Sequence, residues 1–289
     1  MAALRILLAL LVIGFNFIQT ACFLPSFNPH RTSATSTSTS SSLRPTTSLQ
    51  SDLQDVGIVL LAGGTGSRMK ANIPKQFLPL RGDTVLSHSL RLFLETLPKP
   101  AKVVLVMNEQ YRGDFASWAA SGDLIFADPG VERQGSVENG LAALSSAAPE
   151  ARYVAVHDSA RPLVTVNEVL SVVADARSHG AAVLGVPCKA TIKESEDGKT
   201  VLRTIPRSRL WEIHTPQVIS IPTLQRGFEK VRSESLEVTD DVSIVEQLGE
   251  SVKLTLGEYT NLKITTPEDL DVADAILKDR EARAMEEAS

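Results

Sequence analysis

Residues 56–80, VGIVLLAGGTGSRMKANIPKQFLPL, decide the fold of this chain. The continuous apolar run Val56–Ala62 predicts a buried strand, and it leads directly into the glycine-rich segment Gly63–Gly66, which Arg68 and Lys75 follow. Glycines let backbone N–H groups approach an anion, and the two basic side chains bring positive charge to the same place. The stretch therefore predicts a phosphate-binding loop. The alternative is a plain strand-to-helix turn with two solvated basic residues.

Two known phosphate-binding motifs do not fit this loop. A P-loop ends in Gly-Lys-Ser/Thr, whereas Gly66 is followed here by Ser67 and Arg68. The dinucleotide-binding fingerprint requires a third glycine at the position of Met69. The loop is therefore expected to bind phosphates in another way.

The amino-terminal segment differs in composition from the rest of the 289-residue chain. Residues 1–22 carry one arginine and an apolar core too short to span a bilayer, which predicts a secretory signal peptide. Residues 23–52 are rich in Ser and Thr, which predicts a disordered transit peptide. Together they predict import into the plastid stroma. A secreted protein with a mucin-like stalk is the alternative, but Cys22 lies in the presequence, so Cys188 has no disulfide partner.

The rest of the chain is mildly acidic. The formal net charge is −5, and residues 1–50 contain three arginines and no acid, so their removal leaves −8. This negative net charge argues against nucleic acid as a partner. The remaining length suits one α/β domain, expected over residues 53–280, with a tail at 281–289 and no membrane contact in the mature protein.

Strand-like and helix-like segments alternate along this domain. Apolar runs predict further strands at 102–107, 124–127, 153–156, 182–187, 214–219, 252–256 and 262–265. Helical spacing of apolar residues predicts helices at 84–97, 110–120, 137–144, 222–233, 242–248 and 267–277. The alternation predicts an α/β fold with a Rossmann-like, mostly parallel sheet and helices on both faces.

Residues 187–212 interrupt that alternation. They are polar or alternating in character, and Asp197-Gly198 suits a hairpin turn. The segment therefore predicts a protruding β-arm. Because an arm with little core of its own needs a partner surface, we expect it to be exchanged between the subunits of a homodimer.

Two later loops also follow predicted strands. Gly130–Ser136 precedes a helix, and Ser136 there fits either a capping residue or a ligand contact. Asp158 and Arg161 form either a local ion pair or a cation site beside an anion site. In open parallel sheets the loops at the carboxyl ends of the strands converge on the ligand. The three loops therefore predict one site for a triphosphate with a divalent cation, to which Arg133 adds positive charge.

Other polar residues have simpler explanations. Thr239 is expected to cap the helix that follows it, with Asp240 and Asp241 near its positive end. His157 is expected to be a structural residue at a strand end, and Cys188 a packing or surface residue.

Several motifs follow each other in an order that resembles one enzyme family. The loop LAGGTGSRMKANIPKQ resembles the signature of sugar-phosphate nucleotidyltransferases. Together with the later segments it is similar to the 2-C-methyl-D-erythritol 4-phosphate cytidylyltransferase family over residues 56–277. Those segments are GVERQGSVENGL (130–141), HDSARP (157–162), PCKATIK (187–193), IPRSRLWEIHTPQ (205–217), TDDVS (239–243) and NLKITTPEDL (261–270).

The resemblance implies transfer of CMP from CTP, with Mg²⁺ or another divalent cation, to 2-C-methyl-D-erythritol 4-phosphate in plastidial isoprenoid synthesis. It implies catalytic roles for Arg68 and Lys75, and a metal or ribose contact at Asp158. The nucleotide-binding residues it implies are Ala62, Gly63, Gly64, Gly130, Ser136 and Asp158. The substrate-binding residues are Arg161, Thr191, Arg207, Thr215 and Lys263, with Thr191 and Arg207 reaching in from the other subunit's arm. Gly63 and Val131 depart from the residues common in the family.

Three other functions are alternatives for this chain. A cytidylyltransferase for a pentitol phosphate such as ribitol 5-phosphate shares these motifs, but plastid targeting argues against it. A nucleotide-sugar glycosyltransferase needs an Asp-x-Asp motif at a strand end, whereas Asp269-Leu270-Asp271 opens a helix. A non-catalytic nucleotide-binding regulator would not need both Arg68 and Lys75.

Overall fold

The computed structural model describes residues 52–64, 69 and 73–287. The predictions for the signal and transit peptides up to residue 51, and for Arg68, lie outside these residues. Within the described part, no helix has both the length and the apolar character needed to cross a membrane.

Strands and helices are numbered in chain order. The strands are β1 (Leu53–Leu61), β2 (Pro79–Leu80), β3 (Asp83–Thr84), β4 (Pro100–Val106), β5 (Leu124–Ala127), β6 (Tyr153–Asp158), β7 (Ala181–Pro187), β8 (Lys193–Glu194), β9 (Arg203–Thr204), β10 (Trp211–Ser220) and β11 (Lys253–Leu256). The α-helices are α1 (Val85–Arg91), α2 (Ala116–Ala119), α3 (Arg133–Ala147), α4 (Val166–His179), α5 (Ile221–Glu234), α6 (Asp241–Gln247) and α7 (Pro267–Glu287). Short 3-10 or π turns cover Lys75–Phe77, Leu92–Thr96, Glu109–Phe115 and Arg207–Arg209.

In the described part of the chain, seven strands form the central sheet, in the order β11-β7-β10-β6-β1-β4-β5. β1 pairs in parallel with β4 and β6, and the pairs β4–β5 and β7–β11 are also parallel. β10 is antiparallel to both β6 and β7. The chain leaves the carboxyl end of β7, passes through the arm and re-enters at the same edge, where Trp211 pairs with Pro187. The sheet is therefore mostly parallel, as predicted.

Apolar side chains cover both faces of this sheet. Leu86 of α1, Val169 of α4 and Ile58 of β1 belong to the buried apolar cluster on one face. Phe228 of α5 and Val59 of β1 belong to the buried apolar cluster on the other. Successive strand residues point to opposite faces, so a strand buried on both sides must be apolar throughout. This explains the continuous apolar run of β1 and confirms the prediction of helices on both faces.

The predicted hairpin is present between β7 and β10. β8 and β9 pair in antiparallel fashion, and their loop contains Asp197, whose Oδ1 accepts from the N–H groups of Lys199 and Thr200 at 2.8 Å each. Gly198 has φ +67°, a conformation that favours glycine. Val201 and Leu202 in this hairpin are exposed.

Some local predictions were wrong. Residues 262–265 form no strand, because they run beside the loop after β6, where the Ile264 N–H donates to the Ala160 carbonyl at 2.8 Å. The last helix, expected over 267–277, continues as far as Glu287 and includes most of the expected tail, where Glu281 pairs with Arg81 at 2.7 Å. The helix expected at 110–120 is instead a 3-10 segment followed by the single turn α2.

Candidate active site

A cavity of about 320 Å³ opens at the carboxyl ends of β1 and β6. The loops after β1, β5 and β6 line it, because the carboxyl ends of parallel strands share one edge of the sheet. Lys263 and Thr265, from the extended segment before α7, form a further part of the wall. The predicted site residues that line the cavity are Ala62, Gly63, Gly64, Lys75, Gly130, Ser136, Asp158 and Lys263.

One side chain, that of Gln76, binds two carbonyl groups in the loop after β1. Nε2 of Gln76 lies 2.6 Å from the Ala62 carbonyl oxygen and 3.0 Å from that of Gly64. No described residue accepts a hydrogen bond from the amide N–H of Gly63 or Gly64. The loop therefore has amide donors available at the cavity wall while two of its carbonyls are engaged.

Lys75 begins the 3-10 turn that ends at Phe77. The Phe77 ring packs against Tyr111, with 4.5 Å between ring centroids, and this contact fixes the turn on the protein body. Nζ of Lys75 donates to the Ile264 carbonyl at 2.7 Å. The ammonium group is thus held at the cavity wall beside the segment that carries Lys263.

The loop after β5 is closed by a bond between Gly130 and Ser136. The Gly130 N–H donates to Ser136 Oγ at 3.0 Å, and this hydroxyl donates to the Glu132 carbonyl at 3.2 Å. A Cβ atom at position 130 would lie 2.5 Å from the carbonyl carbon of Gly135, so the close approach requires glycine. Ser136 therefore stabilises the loop, and a nucleotide contact by its hydroxyl stays a prediction.

Asp158, the last residue of β6, is a buried carboxylate between two cations. Its Oδ2 accepts from Lys263 Nζ at 2.5 Å, and its Oδ1 accepts from Arg133 Nη2 at 3.3 Å. Burial alone would raise the pKa of Asp158, but the charges of Arg133 and Lys263 outweigh it and hold the pKa below its ordinary value. The carboxylate is therefore ionised at neutral pH.

Hydrogen bonds connect Asp158 to the core. Its N–H donates to Thr215 Oγ1 at 3.1 Å, and Thr215 Oγ1 lies 3.0 Å from His157 Nδ1. Nε2 of His157 lies 3.1 Å from the Arg161 carbonyl, which only accepts, so Nε2 carries the proton and Nδ1 accepts from Thr215. Burial lowers the pKa of His157 to about 4, so the ring is neutral at pH 7. His157 is thus a structural residue.

Thr239 was expected to cap α6, with Asp240 and Asp241 near its positive end; the cap was wrong, whereas both acids do lie at that end. Asp240, not Thr239, caps α6, with Oδ1 accepting from the Ser243 N–H at 3.1 Å. Asp241 is 1% exposed, and its two carboxylate oxygens accept from Arg133 at 2.6 and 2.8 Å. A buried carboxylate needs a charged partner, which helix capping does not supply.

Four predicted substrate-binding residues do not line the cavity. The Arg161 guanidinium is buried and donates to the carbonyls of Asn261 and Ile213, at 2.6 and 3.3 Å. Thr215 is buried in the network behind Asp158. Thr191 and Arg207 are exposed on the arm, where Arg207 donates to the Lys189 carbonyl at 2.8 Å. Their substrate contacts stay predictions.

Sequence reasoning gave no role to Gln76, and it gave Asp241 only a place near a helix end. Gln76 lines the cavity and binds the loop after β1, and Asp241 orients Arg133 beside Asp158. The available signals were the position of Gln76 directly after Lys75 and the paired acids in TDDVS. Neither signal identifies a partner far away in the sequence.

The side chains around Asp158 bear on whether a divalent cation can bind there. Among the described residues, no three His, Cys, Asp or Glu side chains lie together as a metal site. Mg²⁺ in phosphate-transfer sites is commonly bound through one or two carboxylates plus substrate phosphates. Asp158 supplies one ionised carboxylate at the cavity wall, and each of its oxygens keeps a lone pair beside the bond from Lys263 or Arg133. The residues therefore fit a cation that binds together with a phosphorylated substrate.

Comparison with known proteins gives matches over most of the chain. A family model described as IspD: 2-C-methyl-D-erythritol 4-phosphate cytidylyltransferase matches residues 56–279. The chloroplastic 2-C-methyl-D-erythritol 4-phosphate cytidylyltransferase of Oryza sativa subsp. japonica is 48% identical over 229 residues, which cover 78% of this chain and 76% of the rice protein. The protein of that name from Halalkalibacterium halodurans is 42% identical over 233 residues, which cover 79% of this chain and 100% of the bacterial protein.

Solved structures give the same result. The 4-diphosphocytidyl-2C-methyl-D-erythritol synthase of Anaerococcus prevotii has a TM-score of 0.68 and 26% identity, covering 78% of this chain and 100% of that chain. The 2-C-methyl-D-erythritol 4-phosphate cytidylyltransferase of Thermus thermophilus has a TM-score of 0.63 and 31% identity, covering 78% of this chain and 99% of that chain. These likenesses confirm the predicted α/β fold of nucleotidyltransferase type.

Proposed function

The chain belongs to the 2-C-methyl-D-erythritol 4-phosphate cytidylyltransferase family, and we propose that the cavity after β1 is its active site. The reaction joins CTP and 2-C-methyl-D-erythritol 4-phosphate to give 4-diphosphocytidyl-2-C-methyl-D-erythritol and pyrophosphate. It is a step of the non-mevalonate (MEP) pathway to isoprenoid precursors.

The observation that carries this proposal is the set of groups around one cavity. Lys75 and Lys263 supply positive charge, Asp158 supplies a carboxylate, and Gly63 and Gly64 supply backbone amides. Amide groups and cations together bind phosphate oxygens. We assign the triphosphate to the loop after β1, and the cytosine and ribose to Ala62, Gly63, Gly130, Ser136 and Asp158.

The chemistry proposed is an in-line displacement at the α-phosphorus of CTP. An oxygen of the methylerythritol phosphate forms a bond to this phosphorus, while the bond from the α-phosphorus to the bridging oxygen breaks and pyrophosphate leaves with the electron pair. A phosphate monoester is largely ionised at neutral pH, since its second pKa is about 6. No general base or covalent enzyme intermediate is therefore needed.

Catalysis then depends on positioning and on neutralising charge. Arg68 and Lys75 are assigned to the negative charge that develops on the α-phosphate and the departing pyrophosphate. Asp158 would hold Mg²⁺ or another divalent cation together with the phosphates, and the cation would add charge neutralisation there. Two observations support these roles: Asp158 is ionised, and Lys75 lines the same cavity.

The second substrate is assigned to Lys263 and to the residues that the resemblance implies. Thr215 and Arg161 both hydrogen-bond to the backbone of Asp158, and Thr191 and Arg207 are exposed on the arm. Exposed Val201 and Leu202 in the same arm support a homodimer in which each arm covers the other subunit's cavity. In that arrangement Thr191 and Arg207 act on the other subunit's substrate.

The plastid stroma is proposed as the location. The name of the rice relative describes it as chloroplastic. Residues 1–22 have the composition of a signal peptide and residues 23–52 that of a transit peptide. Fusion of residues 1–52 to a fluorescent protein tests this, and fluorescence outside the plastid would contradict it.

One assay tests the function. Residues 51–289 are incubated with CTP, Mg²⁺ and either methylerythritol 4-phosphate or ribitol 5-phosphate, and pyrophosphate release is followed. We expect release with methylerythritol 4-phosphate and much less with ribitol 5-phosphate. The reverse preference would contradict the proposed substrate.

A further inference from the structure

Gln76 has no part in the chemistry above, yet it is 3% exposed and lies at the cavity wall. Among the residues that the structure describes, the carbonyl oxygens of Ala62 and Gly64 lie within hydrogen-bond distance of its Nε2. Carbonyls only accept, so the nitrogen of the carboxamide must face them. The two N–H groups of this nitrogen are both used by the loop.

We propose that Gln76 is a positioning residue for CMP transfer, which holds the loop after β1 in its phosphate-binding form and ties that loop to Lys75. The inference rests on the assignment of this loop to CTP under the proposed function.

The first step of the argument is the geometry of the loop. The C=O and N–H groups of a trans peptide point in opposite directions. Binding of the Ala62 carbonyl to Gln76 therefore directs the Gly63 N–H away from Gln76. Consecutive glycines have little conformational preference of their own, so a side chain from elsewhere must select one backbone form. Gln76 is placed to make that selection.

The second step is the link to Lys75. Gln76 is the next residue in the same 3-10 turn, and Phe77 anchors that turn on Tyr111. The loop and the catalytic lysine are thus joined through one buried side chain. Loss of the carboxamide donors would free the loop and alter its position relative to Lys75.

Gln76→Met tests the proposal because it keeps the length of the side chain and removes both donors. Loss of two hydrogen bonds to the loop should lower kcat/KM for CTP roughly 10- to 100-fold. The KM for methylerythritol 4-phosphate should change by less than about threefold, since a loss confined to CTP leaves binding of the second substrate intact.

Gln54→Met is the matched control, because Gln54 lies on β1 and its Nε2 donates to the Lys99 carbonyl at 3.0 Å, near the amino end of β4. We expect the control to keep the kinetics of the parent protein.

Gln76→Glu gives a second readout that a merely structural role would not produce. An ionised carboxylate offers no donor to the two carbonyls, whereas the protonated acid offers one. The activity of this variant relative to the parent should therefore rise as the pH is lowered from about 8 to about 6, because burial raises the pKa of such a carboxyl group. If Gln76→Met does not fold, this pH profile tests the role of Gln76 instead.

The experiments distinguish failure of the proposed function from failure of the role proposed for Gln76. A parent protein that releases no pyrophosphate contradicts the proposed function. An active parent with unchanged CTP kinetics in Gln76→Met, or a flat relative pH profile in Gln76→Glu, contradicts the role of Gln76. A loss of CTP kinetics in Gln76→Met, with Gln54→Met unaffected, supports it.

Discussion

Arg133 donates to both carboxylate oxygens of Asp241, at 2.6 and 2.8 Å, and the same guanidinium lies 3.3 Å from Oδ1 of Asp158. One cation therefore joins α3, α6 and the carboxyl end of β6. Burial would lower the pKa of Arg133, but Asp241 and Asp158 outweigh it and raise the pKa above its ordinary value. Arg133 is thus a permanent positive charge at the cavity, held in place by a residue distant in sequence.

Asp241→Asn should destabilise the protein. The amide leaves the guanidinium with one charged partner in place of two, and loss of a partner in a buried pair costs several kcal/mol. Because the Arg133 side chain is 33% exposed, solvent screening reduces the expected loss to roughly 1–3 kcal/mol. Urea unfolding measures it. Asp274→Asn, which breaks an exposed pair with Arg81 at 3.4 Å, is the control and should lose less than about 0.5 kcal/mol. Equal losses in the two variants would show that burial of the pair does not matter.

Lys75→Ala should lower kcat by about 10²- to 10³-fold, the usual effect of removing one donor that stabilises transition-state charge. The KM for CTP should change far less. Steady-state kinetics with varied CTP measure both constants. Lys102→Ala is a matched control, since Lys102 also donates to a backbone carbonyl, that of Gly122 at 2.9 Å. A raised KM with an unchanged kcat would assign Lys75 to binding alone.

The buried ring of His157 should make stability depend on pH. Its pKa falls from 6.5 to about 4 because burial disfavours the charged ring, so the unfolded chain binds a proton between these values and the folded protein does not. The free energy of unfolding should therefore fall as the pH is lowered through this range, by roughly 3 kcal/mol in total for this group, and no further below it. Urea unfolding at a series of pH values should show a smaller slope for His157→Gln than for the parent. Parallel curves for the two proteins would contradict the prediction.

The β-arm of one subunit should contribute Arg207 to the cavity of the other subunit. If Arg207 serves the other subunit's cavity, Lys75→Ala and Arg207→Ala proteins should regain activity when mixed, because one of the two sites in each heterodimer is then intact. Random exchange of equal amounts places half of the subunits in such heterodimers. Pyrophosphate release after verified subunit exchange measures the rescue. Its absence would mean that each site is built from one chain.

Much of this site could be predicted because it follows a local rule. Apolar runs such as Val56–Ala62 identify strands, and parallel strands bring the loops after them to one edge. Ala62, Gly63, Gly64, Gly130 and Asp158 therefore meet as expected.

The rest depends on contacts that sequence spacing does not encode. Arg133 and Asp241 are 108 residues apart, and local reasoning assigned the acid to a helix end. The strand expected at 262–265 has the apolar alternation of a strand but no sheet edge to join, because it pairs with the loop after β6. Gln76 is one polar residue among many until its acceptors are known. Tertiary contacts decide each of these cases.

A crystal structure of the protein with CTP bound tests the central claim most directly. The account predicts the triphosphate at the amides of Gly63 and Gly64 and beside Lys75, with the cytosine toward Gly130 and Ser136. A nucleotide bound elsewhere on the protein, or with its phosphates away from Lys75, would contradict it.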